Sequence, residues 1–195
     1  MKLIVIRLAL LVQARHYIHG LPDLGGLNYK AVKMKKNNDI TIWSLREITR
    51  LVKEKQTSLN IVSIRSTDLP HDTYDDFDEC HNNYGDVIIE CFDDIVAPQD
   101  GYTVPTKEHI IRILKWAMSK ELIAVHCTAG VSRSSAIAYL ISCHRSSPKE
   151  ALKILDPMKH SPNRLILYLG MEVLGDESVM SEYLAWFDRS YGHLP

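Results

Sequence analysis

The run Leu122-Ile123-Ala124-Val125, with the residues that follow it, constrains this chain most. Consecutive apolar residues leave no side chain for solvent, so the run reads as a central strand buried on both faces. Next come His126, Cys127, the small residues Thr128-Ala129-Gly130-Val131-Ser132, and Arg133-Ser134, where a helix expected over 132–146 begins. A buried strand that turns through a short loop into a helix sets the helix N-terminus at the strand's carboxyl end. That geometry belongs to sheets covered by helices.

The rest of the chain follows the same alternation. Ser44, with Glu47 three residues on, predicts a capped helix over about Leu45–Lys55 that carries Leu45, Ile48, Leu51 and Val52 on one face. Leu59–Ile64 and Val87–Phe92 read as strands rich in β-branched residues. Thr106 caps a helix through about Ser119, with Ile110, Ile113, Leu114 and Ala117 at helical spacing. Helices are also expected over Lys149–Leu155, Pro162–Leu174 and Ser181–Phe187. The expectation is an α/β fold, a central and mostly parallel sheet flanked by helices on both sides. At 195 residues the chain reads as a single domain: an N-terminal strand and loop (1–39), a core (40–175) and a C-terminal helix (176–195).

Within 1–39, the start Met1–Val12 is apolar but interrupted by Arg7, too short to span a bilayer and followed by no small-x-small cleavage site. It is read as a buried strand rather than a targeting segment. Residues 15–39 contain three Gly, one Pro and a basic cluster from Lys30 to Lys36, read as an irregular excursion with a solvated face.

Lys+Arg 23 against Asp+Glu 24 leaves a net charge of -1, which gives no reason to expect nucleic acid or a membrane surface as partner. The four cysteines, Cys80, Cys91, Cys127 and Cys143, show neither a C-x-x-C pair nor metal-ligand spacing, so a reducing cytoplasm is expected. Asp72, Asp75, Asp76, Asp78 and Glu79 form an acidic stretch whose spacing fits no calcium loop, and it is read as a solvated surface loop. No metal and no cofactor is expected.

The chemistry lies in 126–134. A loop of small residues entering a helix can turn successive backbone N–H groups inward, making a seat for a tetrahedral oxyanion at the helix N-terminus. Arg133 adds a permanently charged planar fork that can grip two phosphate oxygens. The same amides and helix dipole favour the thiolate of Cys127, so nucleophile and phosphate-binding loop are one element. Ser134 is placed to hydrogen-bond the thiolate. His126 is expected to organise the loop through backbone and ring hydrogen bonds.

Here the sequence resembles the protein tyrosine phosphatase superfamily, whose signature is His-Cys, five residues, Arg and Ser or Thr, matched by His126, Cys127, Arg133 and Ser134. The size is similar to that of the compact dual-specificity branch or of small bacterial tyrosine phosphatases, over about residues 40–175. The resemblance implies that Cys127 forms a phosphocysteine, that Arg133 binds phosphoryl oxygens, and that the amides of Thr128, Ala129, Gly130, Val131, Ser132 and Arg133 complete the cradle. It also implies an Asp upstream as general acid. Asp93, Asp94 and Asp100 lie 34, 33 and 27 residues before Cys127. The strand expected from Val87 ends in Asp93-Asp94, and Asp94, its last residue, matches the family's placement best. There are departures. No Trp-Pro-Asp surrounds these candidates, and no tyrosine-rich loop is evident. No Lys or Arg lies between Cys127 and Arg133, which argues against phosphoinositides as substrates.

The implied partner is a phosphorylated protein or peptide, with phosphotyrosine and phosphoserine/threonine both open. Other readings are a phosphate-binding module without turnover, a phosphoinositide or small-ester phosphatase, and a thiol enzyme such as an arsenate reductase or sulfurtransferase. Cys91 and Cys143 are expected to be core thiols, and Ser161-Pro162-Asn163 a helix cap without a catalytic role.

Overall fold

A computed structural model of the protein describes residues 39–192. The strand expected in Met1–Val12 and the basic cluster Lys30–Lys36 lie outside the described residues. Among the described residues four strands, β1 (Ile40–Ser44), β2 (Asn60–Arg65), β3 (Val87–Cys91) and β4 (Ile123–Cys127), form one sheet in the order β1-β4-β2-β3. Every pairing is parallel. The helices are α1 (Leu45–Glu54), α2 (Asp75–Asp78), α3 (Lys107–Ala117), α4 (Arg133–Arg145), α5 (Pro148–Ala151), α6 (Arg164–Leu174) and α7 (Ser178–Tyr191). The α/β architecture expected from the alternation is what the chain adopts. No helix among the described residues is long and apolar enough to cross a membrane.

β4 is fully buried, as a central strand must be. Its alternation divides the core. Ile123, Val125 and Cys127 join the larger cluster with α3, α4, α6 and α7, whereas Ala124 joins Ile48, Val52, Ile61 and Phe77 under α1 and α2. Leu122 is not part of this strand: it precedes it at φ 48°, with its side chain 42% exposed.

β1 was not anticipated. Ile40-Thr41-Ile42-Trp43 mixes one buried with three partly or fully exposed residues, so at the edge of the described sheet it carries no continuous apolar signal. It pairs with β4 so that Ser44 stands opposite Cys127. Ser44 then starts α1 through a reciprocal cap: its Oγ accepts from the Glu47 N–H at 3.2 Å, and Glu47 Oε2 accepts from the Ser44 N–H at 2.9 Å. Such a cap contributes about 1 kcal/mol.

The acidic stretch is not a plain solvated loop. It forms a short turn and α2, with Tyr74 and Phe77 buried, while Asp76 pairs with Lys53 at 2.6 Å and Asp78 takes both terminal nitrogens of Arg65 at 2.9 and 2.5 Å. No group of three or more metal-ligating side chains gathers among the described residues.

The helix after the loop, α4, is buried on nearly all sides. It packs so closely on α6 that a Cβ at Gly170 would lie 2.3 Å from Leu140 Cδ1. α4 is thus fixed along its length, which fixes the loop at its N-terminus.

Candidate active site

Parallel pairing brings the carboxyl ends of all four strands to one edge of the sheet, where open α/β sheets bind ligands. Cys127 ends β4 there, 2% exposed. Its Sγ accepts the Gly130 N–H at 3.3 Å and lies 3.3 Å from Ser134 Oγ, the contact expected of Ser134.

Three of the loop's carbonyls are taken up by neighbouring segments. Thr128 O accepts from the Leu45 N–H at 3.2 Å, Val131 O from Ser161 N–H at 3.1 Å, and Ser132 O from Asn163 N–H at 3.3 Å. Ser135 Oγ donates to the last two carbonyls at 2.5 and 2.9 Å. With the carbonyls so engaged, the N–H groups of Thr128, Ala129, Val131 and Ser132 donate to no protein acceptor among the described residues. Backbone donors left open in a loop that enters a helix can seat a tetrahedral anion.

Gly130 is required twice over. Its φ of +76° is disfavoured for residues with a Cβ, and a Cβ there would sit 2.7 Å from the Ser44 nitrogen and 2.8 Å from the Trp43 carbonyl carbon. The loop therefore presses its backbone directly against the β1–α1 junction.

Arg133 is 5% exposed. Its Nη1 donates to the Phe92 carbonyl at 2.9 Å and its Nη2 to Thr128 Oγ1 at 3.4 Å, while buried Nε has no partner among the described residues. The guanidinium therefore joins the loop to the segment after β3, where the candidate acids lie.

The three aspartates separate cleanly. Asp93, 2% exposed, accepts from the Thr67 N–H and the Thr103 N–H, both at 2.7 Å, and from the Thr67 hydroxyl. Burial pushes its carboxyl up, but these bonds and the charge of Arg133 outweigh burial and hold it below the ordinary carboxylate value. It staples the base of the 93–103 segment and is removed as an acid candidate. Asp100 is exposed in a turn and makes no hydrogen bond to the phosphate loop among the described residues. Asp94 lies three residues beyond the strand end rather than in it, exposed at its free edge. Its Oδ1 accepts from Ser132 Oγ and from Asn163 Nδ2, both at 2.8 Å.

His126 departs from expectation. Alternation turns it to the opposite face from Cys127, where its ring lies 5.0 Å from that of Phe77. It is fully buried, and neither ring nitrogen has a partner in good hydrogen-bond geometry among the described residues. Burial, with the charge of Arg65 adding to it, pushes the ring down from 6.5 to about 4, so it is neutral near neutral pH.

Cys143 is buried as expected, its thiol pushed up to about 12 by burial. Cys91 is exposed, not a core thiol. It faces outward because β3 ends the sheet and only part of its surface is covered. Asn163, expected only as a cap, reaches Asp94; an Asn before a helix signals the cap, and nothing local signals its second partner.

No protein-family model matches the chain, and no curated protein matches it. Among solved structures it is similar to Tk-PTP in its active form, at 15% identity over 69% of this chain and 88% of that one, with a TM-score of 0.42. It is also similar to PTPMT1, at 16% identity over 73% and 96%, with a TM-score of 0.43. A third is the Yvh1 phosphatase domain from Chaetomium thermophilum, at 17% identity over 80% and 95%, with a TM-score of 0.36. At such distances these are likenesses only, and the roles of individual residues rest on the geometry of this chain.

Proposed function

We propose that this chain is a metal-independent phosphomonoester hydrolase that works through a phosphocysteine on Cys127 and acts on phosphotyrosine-type esters of proteins or peptides. The observation that carries this reading is the loop itself: three of its carbonyls are held by neighbouring segments, the N–H groups of Thr128, Ala129, Val131 and Ser132 are left without a protein acceptor among the described residues next to a buried thiol, and Arg133 reaches back to Thr128.

In the first step the Cys127 thiolate attacks phosphorus and the ester oxygen departs, taking a proton from Asp94. The amides of 128–133 and Arg133 stabilise the charge spread over the equatorial oxygens. In the second step Asp94, now a carboxylate, takes a proton from water as its oxygen attacks phosphorus; the S–P bond breaks, inorganic phosphate forms, and the Ser134 hydroxyl stabilises the released thiolate. Neutral, buried His126 takes no part in proton transfer. Val131 on the loop and Val96 and Tyr102 on the acid segment are exposed apolar side chains, which suits an aromatic ester. Phosphoserine and phosphothreonine are the alternative esters. A cytoplasmic setting fits free thiols at all four cysteines.

The test is turnover of an aryl phosphate together with rapid acid quench. Wild type should hydrolyse the ester and yield a phosphate group trapped on Cys127, and Cys127→Ser should do neither while still binding inorganic phosphate. Turnover surviving in Cys127→Ser would overturn the mechanism, and phosphate binding without turnover in wild type would make the chain a binding module.

A further inference from the structure

Asn163 is 5% exposed and belongs to three elements at once. Its Oδ1 accepts from the Ile166 N–H at 3.1 Å, capping α6. Its backbone N–H donates to the Ser132 carbonyl of the phosphate loop at 3.3 Å. Its Nδ2 donates to Asp94 Oδ1 at 2.8 Å and to the Ile95 carbonyl at 3.3 Å.

The amide can adopt only one orientation. Oδ1 faces an N–H donor at the start of α6, and Nδ2 faces two acceptors, so a flipped amide would oppose donor to donor on one side and acceptor to acceptor on the other. The end that meets Asp94 is therefore always a donor. Ser132 Oγ donates to the same oxygen at 2.8 Å. With two donors directed at Oδ1, a proton on Asp94 belongs on Oδ2.

We infer that Asn163 is the positioning residue of the general acid: it holds Asp94 beside the phosphate loop before substrate arrives and selects Oδ2 as the oxygen that delivers and later receives the proton. This rests on the assignment of Asp94 as acid in a phosphocysteine mechanism. Because the cap on α6 and the contact to Asp94 come from opposite ends of one rigid amide, the acid's place is referenced to α6 and, through the Asn163 backbone, to the loop that seats the phosphate. Placing a catalytic group in advance spares the reaction the ordering of that group in each turnover.

The variants that separate this role from capping are Asn163→Asp and Asn163→Ser. Both keep an oxygen suited to the cap, and both remove the NH₂ donor, Asp also facing Asp94 with a like charge. The readout is the ratio of kcat for an aryl phosphate with an acidic phenol, which leaves unaided, to kcat for phenyl phosphate, which needs protonation. That ratio should rise about 10-fold or more in either variant, and neither substitution should enlarge it further in an Asp94→Asn background. Equal losses on both esters, an unchanged ratio, or a loss that adds fully to that of Asp94→Asn would show a cap and nothing more. Thermal midpoints identify a variant that has not folded, in which case the other decides. Failure of the underlying mechanism reads differently, as turnover that survives Cys127→Ser.

Discussion

The Phe92 carbonyl accepts a hydrogen bond from Arg133 Nη1 at 2.9 Å, and Phe92 is two residues from Asp94. The group proposed to grip the phosphoryl oxygens is thereby tied to the backbone that carries the proposed acid. Replacing Arg133 by Lys removes both the planar fork and this tie, since one ammonium cannot serve two directions in fixed geometry. Arg133→Lys should lower kcat/KM for an aryl phosphate by about 10²–10³-fold, from both kcat and KM. An effect below tenfold in steady-state kinetics would show that the fork is not needed.

Asp93 and Asp94 are neighbours with opposite fates, and their Asn variants should fail differently. Asp94→Asn should lower kcat for phenyl phosphate by about 10²–10⁴-fold and leave the thermal midpoint nearly unchanged. Asp93→Asn turns a donor toward the hydroxyl and backbone N–H groups of Thr67 and Thr103 that its carboxylate accepts. It should destabilise the fold by about 1–3 kcal/mol in denaturant titration, with losses on acidic-phenol and phenyl esters alike.

Gly130→Ala places a methyl group against the Ser44 and Trp43 backbone in a left-handed conformation. The positive φ alone costs about 1–2 kcal/mol, and the contact forces the loop away from β1, breaking the inward set of its amides. Turnover should fall by more than tenfold with a measurable drop in thermal midpoint. Wild-type kinetics in this variant would mean that the loop has room the geometry denies.

His126 gives the pH dependence of stability. Its folded-state value, about 4, lies below its unfolded value, 6.5, so the unfolded chain binds the proton more tightly. The stabilisation from keeping it neutral is full above pH 6.5, declines as pH falls, and is gone below about pH 4. The size is about 3 kcal/mol, from 1.36 kcal/mol per unit. Denaturant midpoints across this range should fall in wild type and fall less in His126→Phe. Parallel curves would remove His126 as the source.

The candidate loop was legible because its parts are consecutive: strand, Cys127, small residues, Arg133 and helix all lie within Ile123–Arg145, so chain order carries the geometry. The proposed acid was harder. Three aspartates had acceptable spacing, and only tertiary contacts separate them, Asp93 through Thr67 and Thr103 and Asp94 through Ser132 and Asn163. Strand alternation indicated that Asp93 and Asp94 diverge without saying which faces the site. β1 was missed because a half-exposed edge strand that runs straight into a capped helix has too little apolar periodicity to register. The ring of His126 was misjudged for a related reason: alternation sends it into the lesser core, where Phe77, distant in sequence, meets it.

The engaged carbonyls of the loop have a kinetic consequence. Thr128, Val131 and Ser132 are held by the amides of Leu45, Ser161 and Asn163, which belong to segments far apart in the chain. For the loop to open, all three bonds must part together, so its opening is coupled to the parting of β1–α1 and of the turn into α6 rather than to fraying of a surface turn. Those three amide protons should therefore exchange with solvent at one common slow rate, as members of a single cooperative unit, and the proposed anion seat persists for as long as that unit does.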